Sequence, residues 1–360
     1  MRVRRRKSQY IFTPDRRQRA SGRSILAWVS VFLLIAIAAV FTVNFVITHQ
    51  VVLEKRTITV QNLPDDLENW TILHFSDLHG QEFGDAQAAI KSAIKSQAYS
   101  SVVFTGDMIG KDGDIQPFLD LVALLPESTP KIYVPGDSDP DFLDPTAHGS
   151  LSVYADWAVR LQDAGVTILD EPICFTRNKS NIYFIPEYLY SLDLDGMETA
   201  YRAQLDELTA NVILSPDEAA LKRVCQYHLE RIERIRTVKA TITEKDIQIV
   251  LTHTPLTRDY VSTMIDWKGK DDVFSLRHAA LVLAGHYCGG QWRTPGGSAL
   301  YVPDYGFFPD DSLIVDLDYL SGLPQYISPG LGASDYYTWM PTRVFNSPTV
   351  TLIALTARIQ

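Results

Sequence analysis

Cysteine is scarce in this 360-residue chain, with Cys174, Cys225 and Cys288 the only three. Their small number and wide scatter exclude a disulfide framework as the source of stability, and all three are expected to stay reduced. Basic residues are scarce too, once the first 23 positions are passed. Nine of the 33 Lys and Arg lie there (Arg2, Arg4, Arg5, Arg6, Lys7, Arg16, Arg17, Arg19, Arg23), facing only Asp15. The remainder holds 24 Lys and Arg against 42 Asp and Glu, a formal charge of −18. Such a surface grips a phosphate backbone poorly, which argues against nucleic acid as a partner. Long apolar runs are limited to one, so a pore or carrier is excluded as well. Glycine-rich stretches are short: Gly289-Gly290-Gln291 and Gly330-Leu331-Gly332 lack nucleotide-binding spacing and suit close backbone approach instead.

What is present begins with that single apolar run. Ile25 to Ile47 is 23 residues without a charge, enough for the roughly 20 that a helix needs to cross a bilayer. A cleaved signal peptide would carry a shorter apolar region and a small-residue cleavage site, so an uncleaved signal anchor is the expectation. The basic cluster before it predicts a cytoplasmic N-terminus and an outward-facing remainder. The expected organisation is a basic tail over 1–23, a transmembrane anchor over 24–48, a stalk over 49–56 and one large domain over 57–360. At 360 residues and 46% hydrophobic composition, the chain can bury a substantial core.

Five segments then repeat one pattern, a short apolar run ending in an Asp or a His. Thr71–Phe75 precedes Asp77 and His79, Ser101–Thr105 precedes Asp107, and Lys131–Val134 precedes Asp137. Gln248–Leu251 precedes His253, and Leu281–Leu283 precedes His286. Such runs read as strands buried on both faces, whose terminal residues gather along one edge, where α/β sheets bind ligands. Helical stretches fit between them at Asp85–Gln97 and Gln116–Leu125, which argues for a layered α/β fold. A helical insertion is expected at about 195–240, with the capping box Ser215-Pro216-Asp217-Glu218 starting a helix within it. Cys225 and His228 lie on its apolar stripe and read as core. His74, inside the first ligand strand, reads as a hydrogen-bonded core residue, and His148 and His278 carry no motif. Tyr301–Phe308 is aromatic and fits a cleft wall, a lipid contact or ordinary packing.

Taken in order, Asp77-Leu78-His79, Gly106-Asp107, Gly136-Asp137-Ser138-Asp139, His253 and Gly285-His286-Tyr287-Cys288 resemble the calcineurin-like metallophosphoesterases. The family pattern is D-x-H, G-D, G-N-H-D/E, a lone His and G-H-x-H, so the third and last motifs are altered here. The segments around Asn62–Gly80, the GHYCGGQ block and ISPGLGAS with PTRVFNSPTVTLIAL resemble a membrane-anchored bacterial branch of that family. The resemblance implies a four-layer α/β/β/α sandwich and two divalent cations (Mn, Zn or Fe). By motif position, Asp77, His79 and Cys288 would hold one, Asp137, His253 and His286 the other, with Asp107 between them.

Two metals at such a site supply a nucleophile near neutral pH and charge for the phosphoryl oxygens. Asp107 and Ser138 are therefore the expected catalytic positions. Ser138 stands where the family His serves the transition state, and it can donate a hydrogen bond but no cationic proton. Sulfur from Cys288 favours zinc or iron over manganese. The expected function is hydrolysis of a phosphomonoester or phosphodiester, lipid- or envelope-derived, at the outer face of the membrane. The alternative is a degenerate binding module.

Overall fold

The computed structural model describes residues 22–146, 153–210, 213–267, 272–334 and 341–358. Most of the basic tail and His148 lie outside the described residues. The chain divides into two compact units, Met1–Val46 and Ile47–Gln360. Helix α1 (Gly22–His49) belongs mainly to the first. Its stretch Leu26–His49 has a mean hydropathy of 2.6, and Trp28, Phe32 and Phe41 on it are exposed. It is long and apolar enough to cross a membrane.

In the second unit, β1 (Val52–Thr59) is followed by β2 (Thr71–Phe75), α2 (Ala88–Ile94) and β3 (Ser101–Thr105). Then come α3 (Gln116–Ala123), β4 (Lys131–Val134), α4 (Asp156–Asp163) and β5 (Val166–Ile168). β6 (Ile173–Arg177) and β7 (Ser180–Pro186) lead into α5 (Leu194–Thr209) and α6 (Pro216–Lys239). β8 (Ile247–Leu251), α7 (Arg258–Trp267) and β9 (Ala279–Ala284) follow, then a short hairpin of β10 (Tyr301–Val302) and β11 (Gly306–Phe307). β12 (Asp316–Leu320), β13 (Leu323–Ile327) and β14 (Thr349–Thr356) close the fold.

These strands form two six-stranded sheets, ordered β1-β14-β2-β3-β4-β5 and β12-β13-β9-β8-β7-β6. The five ligand strands therefore do not share one sheet: β2, β3 and β4 lie in the first, β8 and β9 in the second. Each group runs parallel, so each sheet brings its strand ends to a single edge. Residues 52–56, expected as stalk, instead form strand: β1 pairs along its whole length with β14 in parallel register, Val52 opposite Thr349 through Thr59 opposite Thr356. The alternation of Val51–Val60 fits a stalk followed by a first strand, but the pairing itself is not legible locally, because the partner strand lies near the far end of the chain.

Three apolar layers hold the sheets. Ile72, Val103 and Ile132 meet Phe184, Ile249 and Leu281 between the sheets, all buried. Each such side chain contributes roughly 1.5–3 kcal/mol by leaving water. On the outer face of the first sheet, α2, α3 and α4 cover an aromatic ladder. Phe75 stacks on Phe104 at 5.4 Å, Phe104 meets Phe118 at 5.0 Å, and Phe118 meets Tyr133 at 5.3 Å. On the outer face of the second sheet, Ile235 of α6 and Val261 and Met264 of α7 pack over Val250 and Val282. The result is the α/β/β/α sandwich expected from the motif order.

Helices α5 and α6 occupy the stretch expected to be helical. Ser215 caps α6 with the predicted capping box. Cys225 is buried on its inner face, and the His228 ring stacks on Tyr201 at 4.6 Å, so both pack as the periodicity indicated. The inner face also carries buried Arg231, which donates to the Asp170 carbonyl at 2.8 Å and to the Tyr188 hydroxyl at 2.7 Å. Arg223 donates to the Pro145 carbonyl at 2.6 Å. Helix α6 is thereby tied to the chain that follows the Asp137 loop.

Candidate metal centre

Three of the five ligand strands, β2, β3 and β9, end in left-handed backbone. Asp77, His79, Asp107, His286 and Cys288 have φ of 52°, 49°, 53°, 83° and 48°. For residues with a side chain this costs on the order of 1–3 kcal/mol each, and such strain collects at functional sites. Backbone hydrogen bonds hold the turns: the Asp77 N–H donates to the Gly106 carbonyl at 3.0 Å and the His79 N–H to the Asp107 carbonyl at 2.8 Å. Gly106 is required twice over. Its φ is +81°, and a Cβ there would meet Gly136 Cα at 2.7 Å and collide with the His253 ring.

Across the seam, residues from one sheet grip those of the other. The His286 N–H donates to Asp77 Oδ1 at 2.9 Å. His253 Nδ1 lies 2.8 Å from the Thr105 carbonyl. A carbonyl only accepts, so Nδ1 carries the hydrogen and Nε2 faces the site. There Nε2 lies 3.3 Å from Asp107 Oδ2 and 3.1 Å from His286 Nδ1. His286 Nδ1 lies in turn 3.3 Å from Asp137 Oδ2. On the other side, His79 Nε2 lies 3.7 Å from Asp107 Oδ2 and 3.4 Å from Cys288 Sγ.

All seven ligand positions read from the sequence are thus brought together. Their donor atoms form the groups Asp77–His79–Cys288, Asp137–His253–His286 and Asp77–Asp107–His253, within 4.8 Å of one another in each. Asp137 differs from the rest in being largely exposed, 69% at its side chain. Ser138 is exposed, and its backbone N–H donates to Asp107 Oδ1 at 2.8 Å.

Electrostatics fit a cation. Burial pushes the Asp77 carboxyl up, against the pull of His253 and His79. Its Oδ2 is buried with no hydrogen-bond partner among the described residues, an arrangement costly unless a cation satisfies it. Burial works against charge on Asp107 and His253 alike, yet their mutual hydrogen bond prevails. Asp107 is held well below the usual carboxylate range, while His253 is raised to about 9. Burial and the Asp77 charge keep Cys288 a thiol until a metal displaces its proton. Oxygen, nitrogen and sulfur donors, one of them orphaned, suit divalent ions of the zinc or iron type.

Two supports were not legible as site residues. Asp139 accepts the Ile109 and Gly136 N–H groups, both at 2.8 Å, and so shapes the Asp137 loop. Arg343 is buried to 4% exposure. It donates to the carbonyls of Gly332 at 2.6 Å and Pro329 at 2.7 Å, and to the Asn346 side chain at 3.0 Å. Asn346 then donates to the Cys288 carbonyl at 2.9 Å, fixing the sulfur's turn from behind. Burial lowers Arg343 to about 10, with Cys288 and Asp77 opposing. The PTRVFN segment carried the signal, without stating that its role is to clasp loops. A larger groove of about 840 Å³ is lined by Ile247, Ala279 and Leu323. These begin β8, β9 and β13, placing the groove at the opposite strand ends from the cluster.

Among known proteins, the family model of calcineurin-like phosphoesterases matches residues 71–289. Among solved structures, a phosphopantetheinyl hydrolase from Mycobacterium tuberculosis is similar at 16% identity and a TM-score of 0.38, covering 82% of this chain and 98% of that chain. No curated protein matches.

Proposed function

This chain belongs to the calcineurin-like phosphoesterase family, and we propose that it hydrolyses a phosphomonoester or phosphodiester with two divalent cations at the outer face of a membrane. One observation carries the reading: Asp107 Oδ2 stands between His79 Nε2 and His253 Nε2, at 3.7 and 3.3 Å, so one carboxylate serves both donor groups. Asp77, His79 and Cys288 would hold one cation, and Asp137, His253 and His286 the other. When bound, the cations supply acidification of water and charge for the phosphoryl oxygens.

The chain's own residues do the remaining work. Thr105 and Asp77 orient His253 and His286 through the hydrogen bonds above. Asp139 fixes the loop that presents Asp137 and Ser138. Ser138, exposed next to Asp137 in that loop, would donate from its hydroxyl to a phosphoryl oxygen or to the leaving oxygen. Without a cationic proton donor there, turnover depends on a good leaving group, since positioned acids contribute typically 10²–10⁴-fold. That same lack favours the second reading, a phosphate-binding module that no longer turns over.

The test is hydrolysis of an activated aryl phosphodiester by the full chain, purified in detergent and loaded with manganese or zinc. Turnover abolished in Asp77→Asn and His253→Asn is expected. Binding of inorganic phosphate without turnover would favour the binding module. The outward placement rests on the basic cluster before the apolar helix. A reporter fused after Gln360 should be active only outside the cytoplasm, and activity inside would reverse it.

A further inference from the structure

Beside the cluster opens a cavity of about 240 Å³, bordered by His286, Tyr287, Tyr301, Val302, Asp304 and their neighbours. At ~30 Å³ per water it has room for an aromatic ring or a short branched chain. Its walls are chiefly apolar. Val302 is buried at 3% exposure, and the Tyr287 ring lies 4.8 Å from the His286 ring and 5.6 Å from Tyr305. The Tyr301 ring is braced by Phe307 at 4.9 Å. Among the described residues, no Lys or Arg lines the cavity and the acid on its wall is Asp304, 56% exposed at its side chain, with Oδ2 3.9 Å from His286 Nε2.

His286 belongs both to this wall and to the donor group around Asp137. A phosphoryl group held at the cluster would therefore direct one ester substituent into the cavity. Aromatic faces and one carboxylate attract an ammonium and repel an anion. We propose that this cavity receives the alcohol moiety of the ester and selects a compact apolar group, preferring one that bears an ammonium and rejecting one that bears a carboxylate. The assignment rests on the phosphoesterase reading and adds to it the chemical class of the leaving group.

Binding separates the two claims. Methylphosphonate, benzylphosphonate, and benzylphosphonates bearing a para aminomethyl or a para carboxylate group are titrated into the metal-loaded full chain by calorimetry. Benzylphosphonate should bind roughly tenfold tighter than methylphosphonate, the aminomethyl compound tighter still and the carboxylate weakest. Tyr301→Ala should erase the benzyl advantage. Asp304→Asn should erase the spread between ammonium and carboxylate while keeping the parent's metal content. Equal binding of all four by the parent overturns the cavity assignment and leaves the phosphoesterase reading intact. Loss of metal from Asp304→Asn, with equal weakening for every probe, assigns Asp304 to orienting His286 and overturns the charge preference. The expected ranking without turnover of the matching aryl phosphates keeps the cavity and removes the hydrolase reading. No binding of any probe removes both.

Discussion

Asp107 Oδ2 lies 3.3 Å from His253 Nε2, although the two residues end strands of different sheets. That contact closes the seam between the layers: the first sheet supplies the three carboxylates and His79, the second His253, His286 and Cys288, and neither holds a complete set. Their hydrogen bond favours charge on both groups, with a proton held between them. A divalent cation is the natural replacement for that proton, and the predictions below follow from this arrangement.

Cys288 should make one position of the site selective for thiophilic metals. With cobalt loaded in place of the native ion, the parent should show sulfur-to-cobalt charge-transfer absorption in the near ultraviolet, and Cys288→Ser should lose it. Cys288→His should lower the preference for zinc over manganese by about tenfold. An identical cobalt spectrum in parent and Cys288→Ser would mean that the sulfur is only a buried apolar group.

Arg343 should matter for stability as much as for the site. Arg343→Leu leaves the Gly332 and Pro329 carbonyls and the Asn346 side chain without their donor, at roughly 1–3 kcal/mol for each buried group left unsatisfied. Urea unfolding of the full chain should show a loss of about 3–5 kcal/mol. A change below about 1 kcal/mol would show that the clasp contributes little.

His74 should make the fold sensitive to acid. It is fully buried, its Nε2 meets the Thr105 hydroxyl at 2.8 Å, and its ring faces Tyr326 at 6.1 Å. Burial lowers it from 6.5 to about 3. Above pH ~6.5 it is neutral folded and unfolded, so it has no effect on stability there. Between that point and about pH 3, only the unfolded chain takes the proton, and stability falls by roughly 1.4 kcal/mol per pH unit from this residue. His74→Gln should flatten the slope of unfolding free energy over that window. An unchanged slope would show that His74 is protonated in the folded protein.

The ligand strands were legible because each is short, apolar and terminated by the residue that does chemistry. Thr71–Phe75, Ser101–Thr105 and Lys131–Val134 begin and end where the sequence placed them. Which strand joins which sheet was not, since alternation of strand and helix is the same whether successive units extend one sheet or start another. The pairing of β1 with β14 was hidden for a related reason: nothing within Val52–Thr59 points to a partner near the C-terminus. Arg343 and Asn346 escaped notice as site supports because they act on backbone carbonyls, which every residue carries. His74 and Cys225 followed their local apolar pattern into the core.

The most direct measurement is the divalent metal content of the full chain and of Asp107→Asn by elemental analysis, after equilibration with zinc and manganese and removal of free ion. The parent should carry two ions per chain, and Asp107→Asn, folded by circular dichroism, should carry one or fewer, because a neutral amide cannot join two cations as a carboxylate does. A parent that retains none, or an Asp107→Asn variant with the parent's full content, would contradict the shared two-metal centre.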